Sequence, residues 1–411
     1  MLAHSLRLAW KVLSRRRFYT AISLAGVAFT LLVLLVAAAM LDSVLGARAP
    51  EVHADRTLGV YAMTLQGENW STGAAAGYGF LDREARGLDG VERMAILQKP
   101  HSAVSYVDGR KITSALKRTD GEYWQILAFD FLEGGPFTAA DDRAGNAVAV
   151  INATTRQRFF GGAPALGREL EADGQRFRVV GVVRDVSFMR LNAYADLWVP
   201  IGSARGTGFR EEMIGDFVGL FLARSRADFP RIKEAFQARL DRLELPEPGS
   251  TLSGGADTLF ESTSRELFSS GNRSSHPLRL GLLLGVFALL FMTLPALNLV
   301  NVNLSRILER ASEIGVRRAF GAPRRALVVQ FLVENVVLTL LGAVLGLVLA
   351  AATLAAINRS GVVPYSDFAL NFRVFAWGVG LALAFAVLSG VLPAWRMSRL
   401  DPVAALSGRS L

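Results

Sequence analysis

Four stretches of the chain lose the interleaving of polar and apolar residues almost entirely: 18–41, 278–303, 326–357 and 374–395. Each is long enough to cross the roughly 30 Å of hydrocarbon that takes about 20 helical residues. The polar pieces that remain are short, at 1–17, 304–325, 358–373 and 396–411, with one exception. Residues 42–277, between the first and second apolar runs, have the mixed pattern of a globular domain. The pattern therefore predicts a membrane protein with an α-helical transmembrane domain of four helices and one large α+β domain outside the bilayer.

Inside 42–277 the periods change again. Residues 57–65 (TLGVYAMTL) alternate as a strand, 80–88 suit a helix and 91–98 a second strand. Later, 217–223 (FVGLFLA) reads as a strand and 228–243 as an amphipathic helix, with Asp228 as its N-cap and Pro230 just inside. A β-α-β unit and a later β-α unit fit two parts of one small α/β domain, with about 100–215 inserted between them. The insertion is strand-rich, at 101–107, 111–118, 147–151, 175–183 and 196–201, with helical pieces at 121–127 and 153–160. Asp173-Gly174 marks a hairpin. Residues 245–257 look like a linker, and 258–277 a stalk helix running into the second span.

Composition agrees: 51% of the residues are hydrophobic. The net charge of +9 raises the question of nucleic acid, and its distribution answers it. Residues 1–17, 304–326 and 395–411 hold fourteen basic residues against three acidic ones, whereas 42–279 holds 29 basic and 31 acidic. Basic excess in short loops is the mark of cytoplasmic segments. Both termini and the 304–325 loop are expected in the cytoplasm, the large domain outside, and no nucleic acid is needed to explain the charge. Residues 1–17 fit an interfacial helix, with Leu2, Leu6, Trp10 and Leu13 on one face. The alternative is a signal peptide, but 18–41 exceeds a signal's apolar core, so a retained anchor is expected. The chain has no cysteine, so the external domain must stand on its core. Its four histidines have no metal-ligand spacing.

The segment ERASEIGVRRAFGAPRRALVVQFLVE, 309–334, is a charged helical pattern between two apolar runs. Glu309, Glu313 and Arg317 recur every four residues and share a face. Gly321 ends that helix, Ala322 before a proline is pushed from the α region, and Pro323 suits the first turn of the next helix. Within the spans, Gly281/Gly285, Gly342/Gly346 and Ala386/Gly390 have the small-residue spacing that allows close helix approach. Asn298 sits where the second span nears the cytoplasm. Glu334 is the one carboxylate inside an apolar run. Facing lipid it would cost about 2.5–3.5 kcal/mol, so it is expected to face protein.

No phosphate-binding glycine loop, nucleophile elbow or zinc-protease motif is present. The pattern is that of a device without its own fuel: a large external domain wired to a charged cytoplasmic corner. At this point a resemblance becomes specific. Residues 309–335, the span LLGAVLG (340–346) and the ending LPAWRMSRLDPVAAL (392–406) resemble the permease domain of the MacB/FtsX/LolC family of ABC transporters. FDFLEGGPFTAADD (129–142), AVAVINATTRQRFFGGAPALGREL (147–170) and FRVVGVVRDV (177–186) are similar to that family's periplasmic core domain.

The resemblance implies a non-catalytic permease of the bacterial inner membrane. It would act as a homodimer, or a heterodimer with a related permease, with cytoplasmic ABC ATPase subunits that bind the ATP and magnesium. A periplasmic adaptor (membrane fusion) protein would be a further partner. Glu309, Glu313, Arg317, Arg318 and Gly321, Ala322, Pro323 would form the coupling helix, and Glu334 takes the family's QFLxE position. About 50–99 and 216–257 would be porter-like, about 100–215 sabre-like, and 258–277 the stalk. The chain departs from the family in lacking the ATPase fused to MacB, and in a tail ending AALSG where related chains carry AALR. Export of a drug, peptide, lipid or lipoprotein, and FtsX-like regulation of a periplasmic enzyme, both remain open at this stage.

Overall fold

The structure, a computed structural model, describes residues 17–245, 249–268, 274–309 and 323–398. These form two compact units. One takes the described residues up to Asp42, from Leu282 to Ser360 and from Phe368 onward; the other takes Ser43–Gly281 together with Gly361–Asp367.

The chain enters through helix α1 (Arg17–Leu45). The external unit then builds strands β1 (Thr57–Val60), β2 (Met63–Gln66) and β3 (Ser71–Ala76). A short helix α2 (Tyr78–Phe80) runs on as a π turn, Leu81–Ala85, before β4 (Val91–Gln98). Next come β5 (His101–Val107), β6 (Arg110–Thr119), helix α3 (Tyr123–Ile126) and β7 (Phe131–Gly134). Helix α4 (Ala139–Ala144) opens with a capping box between Thr138 and Asp141. It leads to β8 (Val148–Asn152), whose last residue caps α5 (Ala153–Phe160) through Asn152 Oδ1 and the Thr155 N–H. The hairpin β9 (Glu169–Ala172) and β10 (Gln175–Val183) turns at Asp173-Gly174, both left-handed, as a two-residue turn requires. After β11 (Leu197–Pro200), β12 (Ile214–Gly215) and β13 (Phe217–Ala223) come α6 (Phe229–Asp241), β14 (Thr251–Gly254) and α7 (Leu259–Phe268).

All fourteen strands join one hydrogen-bonded path, β14-β2-β3-β13-β4-β6-β11-β8-β10-β7, with β1, β12, β5 and β9 attached at its sides. β13 lies between β1 and β4, antiparallel to both, and every one of its residues is buried. The link between β4 and β6 is a single pair, Leu97 with Thr119. On the β13 side, Phe80, Phe221, Ile232 and Phe236 lie in one apolar cluster under α2 and α6. On the β8 and β10 side, Phe177, Val179 and Leu197 lie in another. A third, with Trp124, Trp198 and Val150, joins residues of both regions.

Four details differ from the sequence reading, the first being that 57–65 is not one strand but two, β1 pairing with β13 and β2 with β3. Residues 245–257 are not simply a linker: β14 pairs along its length with β2, its small residues having hidden a strand made by its neighbour. Asp228 does not cap α6; its carboxylate turns back to the N–H and hydroxyl of Ser225 and closes a 3-10 turn before the helix. The expected stalk is two helices, since Ser274–His276 is non-helical, the His276 N–H is held by Ser264 Oγ at 3.1 Å, and Pro277 opens the next helix.

The membrane unit comprises α1, α8 (Pro277–Glu309), α9 (Arg324–Ser360) and α10 (Phe372–Ser398). Among the described residues, Thr20–Leu45 and Leu332–Ser360 are long and apolar enough to cross a membrane; the apolar stretches Pro277–Phe291 and Phe372–Leu388 are shorter.

Candidate functional site

In the membrane unit, α1, α9 and α10 share a small core of Val27, Leu31, Leu338 and Ala343, with Phe375 and Val379 packed on it. Glycine makes the approach possible. A Cβ on Gly342 would stand 2.8 Å from Val27 Cβ, and one on Gly346 would stand 2.9 Å from the Ala28 carbonyl oxygen and 3.0 Å from Leu31 Cβ. Either would force α9 off α1. No described atom comes within 4 Å of the same position on Gly281 or Gly285, and the apolar side chains of α8 around them, Leu282 and Phe287 among them, are exposed. Gly390 lies within α10 and Asn298 within α8. Glu334 is 2% exposed and accepts a hydrogen bond from Gln330 Nε2, one turn earlier, at 3.2 Å. Asn335 beside it is equally buried. Glu309 is the last described residue of α8, and Pro323 is an exposed residue just ahead of α9. Glu313, Arg317, Arg318, Gly321 and Ala322 lie outside the described residues, as do residues 1–16 of the expected interfacial helix 1–17.

The external unit contains a polar centre that the sequence did not suggest, built around residues 187–196 between β10 and β11. On one side it is held to the segment that follows α1. Glu51 Oε1 accepts the N–H groups of Asn192 and Ala193, both at 3.1 Å, and Arg190 stands 3.8 Å from Glu51 Oε2 while also donating to the Gly46 carbonyl. Lys117, from β6, donates to the carbonyls of Leu191 at 3.1 Å and Asn192 at 2.7 Å. Tyr123 Oη donates to the same Asn192 carbonyl, and Asn192 Nδ2 donates to Tyr61 Oη. Burial governs the protonation here. It raises Glu51, against the opposing charges of Arg190 and Lys117, and lowers Lys117 to about 7.

On its other side the same segment receives the loop Gly361–Asp367, which joins α9 to α10. Tyr365, in the left-handed region at φ 53°, donates from Oη to Asp196 Oδ1 at 2.6 Å. Asp196 also accepts from Asn152 Nδ2 at Oδ1 and from the Ala115 N–H at Oδ2, so it ties β6, β8 and the loop together. The Phe188 N–H donates to the Pro364 carbonyl at 3.0 Å, and the Tyr194 ring lies between those of Phe188 and Tyr365. Burial and the Asp196 carboxylate both raise the Tyr365 phenol, so it stays a donor at any physiological pH. One ten-residue segment, 187–196, thus holds both the chain leaving α1 and the loop between α9 and α10. The signal in the sequence was slight: an apolar Val-Val-Pro-Tyr run in a short interhelical loop, where exposed polar residues are the rule.

Among the described residues no group of His, Asp or Glu could hold a metal.

Comparison with known proteins agrees on both units. Residues 20–239 match the MacB-like periplasmic core domain, and residues 285–402 match the FtsX-like permease C-terminal domain. The chain is 25% identical over 340 residues to an uncharacterized ABC transporter permease, YknZ, of Bacillus subtilis, covering 81% of this chain and 80% of that one. It is 26% identical over 411 residues to the pyoverdine export ATP-binding/permease protein PvdT of Pseudomonas syringae pv. tomato, covering 99% of this chain and 60% of the relative. The chain therefore spans about three fifths of PvdT. Among solved structures, the periplasmic region of MacB from Actinobacillus actinomycetemcomitans aligns over 52% of this chain and 95% of its own, at 16% identity and a TM-score of 0.32. With an external core domain and a permease domain matched in order along one chain, the protein belongs to the MacB/FtsX family of ABC transporter permeases.

Proposed function

We propose that the chain is a four-span, non-catalytic permease whose external domain is moved by a separate cytoplasmic ATPase, and that the work exports a drug, peptide, lipid or lipoprotein from the periplasmic side. Both termini and the 304–325 segment then face the cytoplasm, two such permeases pair, and an adaptor protein continues the route outward. The observation that carries this reading is the double hold on residues 187–196. Any shift of α1 against the α9–α10 hairpin would be delivered to the two sides of one segment anchored by its buried residues Arg190, Asn192 and Asp196, which is what a transmitter of movement needs. The large external domain favours export over a purely regulatory role, and the likeness to YknZ over 80% of its length supports an ABC transporter permease.

Glu313, Arg317 and Arg318, with the Gly321–Ala322–Pro323 corner, are the proposed ATPase contact, with Glu309 at its start. The double variant Glu313→Lys, Arg317→Glu should still insert, but should lower the permease-dependent stimulation of the co-reconstituted ATPase at least about tenfold, as loss of charge-assisted contacts at an interface does. Unchanged stimulation would remove the assignment.

A further inference from the structure

At the edge of the sheet where β4 and β6 end and β13 begins, the external unit has an open pocket of about 260 Å³. Its lining includes Gln98, His101, Arg118, Asp216, Phe209 and Phe217. None of these belongs to the 187–196 centre.

Arg118 is the unusual member. It is 8% exposed, and its printed partner is a hydroxyl: Nη1 donates to Ser203 Oγ at 3.2 Å. Ser203 in turn donates to the Pro200 carbonyl at 2.7 Å, so its hydrogen is committed. Among the described residues no carboxylate lies within ion-pair distance of Arg118, whereas the other buried arginine of this unit, Arg190, faces one, as does the half-buried Arg265. A buried guanidinium without an anion is costly, and proteins normally pair it. Burial also pulls the Arg118 pKa down, with Asp173 only partly offsetting it.

The walls supply the opposite polarity. Gln98 Nε2 donates to Asp216 Oδ2 at 2.7 Å, which fixes the amide so that Oε1 is the remaining acceptor, and Oε1 is buried with no partner. His101 Nδ1 is likewise buried without one. The site thus combines a buried cation without an ion-pair partner, an amide oxygen lacking a donor, and a carboxylate beside that amide, and Asp173 and Arg205 line it as well. The third wall is apolar: Phe209 and Phe217 stack with their centroids 5.6 Å apart.

We propose that this cavity binds a small zwitterion, an amino acid or dipeptide with an apolar side chain. Its carboxylate sits on Arg118, its ammonium turns toward Gln98 Oε1 and Asp216, and its side chain lies against Phe209 and Phe217. The volume admits such a ligand. The pocket is then a ligand site of the external domain.

The test is calorimetric titration of the purified full chain in detergent with leucine, glycyl-leucine, leucinamide, N-acetyl-leucine and inorganic phosphate. Leucine or glycyl-leucine should bind. Leucinamide, without the carboxylate, and N-acetyl-leucine, without the ammonium, should each bind at least about tenfold more weakly, since each loses a charge-assisted contact. Arg118→Met should abolish binding. Because that variant could misfold, Asp216→Asn, at the other end of the site, is the second probe: it should weaken leucine while leaving N-acetyl-leucine unchanged. Phosphate binding as tightly as leucine would overturn the proposal in favour of a simple anion site, and no binding by leucine or glycyl-leucine at millimolar concentration would overturn it altogether. The coupling assay of the preceding section needs no zwitterion, so the two readings fail separately.

Discussion

The external and membrane units solve the burial problem in different ways. The external unit hides large side chains, Trp198, Tyr123, Phe177 and Phe221 among them, and with them charged groups that are held almost wholly by backbone: Glu51 by two N–H groups, Lys117 by two carbonyls. The membrane unit leaves many of its large apolar side chains exposed and brings α1 and α9 together through two glycines. In water, apolar area drives the fold and polar groups must be satisfied inside it. Between helices in lipid that drive is missing, and close contact of small residues takes its place. One unit is therefore vulnerable to loss of a polar partner, and the other to gain of volume.

Substitutions can break this contrast. The largest effect is expected for Asp196→Ala, which strips a partner from the Ala115 N–H, Asn152 and Tyr365 at once. It should lower the stability of the external unit by about 3 kcal/mol or more, because buried donors left unmet cost about 1–3 kcal/mol each. Denaturant unfolding of the full chain, followed by tryptophan fluorescence, measures it; a loss below about 1 kcal/mol would show that water replaces the aspartate.

Next comes Gly346→Leu, which must push aside Ala28 and Leu31 and should cost about 1–3 kcal/mol, as overpacking does. Gly285→Leu, the control, should lie within about 0.5 kcal/mol of the parent, as a surface change does. Equal effects in detergent-based unfolding would erase the distinction between the two glycine pairs.

The last effect concerns pH. Lys117 falls from its ordinary 10.5 to about 7 on folding. Between those values the unfolded chain holds a proton that the folded one does not, so stability rises with pH from about 7 to about 10.5 and is lost as pH falls back toward 7. Relative to Lys117→Met, the parent should gain a few degrees of melting temperature between pH 7 and pH 9.5. A constant difference between the two would show that Lys117 stays charged in the fold.

Legibility in the sequence followed the same division. Strands with strong β-branched and apolar content were read to the residue, as at Val91–Gln98 and Phe217–Ala223. Ser71–Ala76 (STGAAA) and Thr251–Gly254 were not, because small residues become strands only when a neighbour pairs with them. The apolar runs behind Thr20–Leu45 and Leu332–Ser360 were legible from composition. The centre at 187–196 was not, for a physical reason. Its bonds join residues as far apart as Glu51 and Asn192, 141 positions along the chain, and Tyr365 and Asp196, 169 apart. No local period encodes such a meeting. The cavity at Arg118 was hidden in the same way, since a basic residue at the end of an amphipathic strand reads as surface until the fold closes over it.

The anchored loop between α9 and α10 also bears on how this permease should be handled at the bench. Short loops between membrane helices are the customary place for an epitope tag, because exposed loop tips accept insertions. Here a tag near Tyr365 would draw its hydroxyl off Asp196 and the Pro364 carbonyl off Phe188. The turn at Asp108-Gly109 between β5 and β6 is the better place: it is already left-handed, and nothing lies within 4 Å of where a Cβ on Gly109 would be. A protein tagged there should keep the grip of its external domain on both membrane connections.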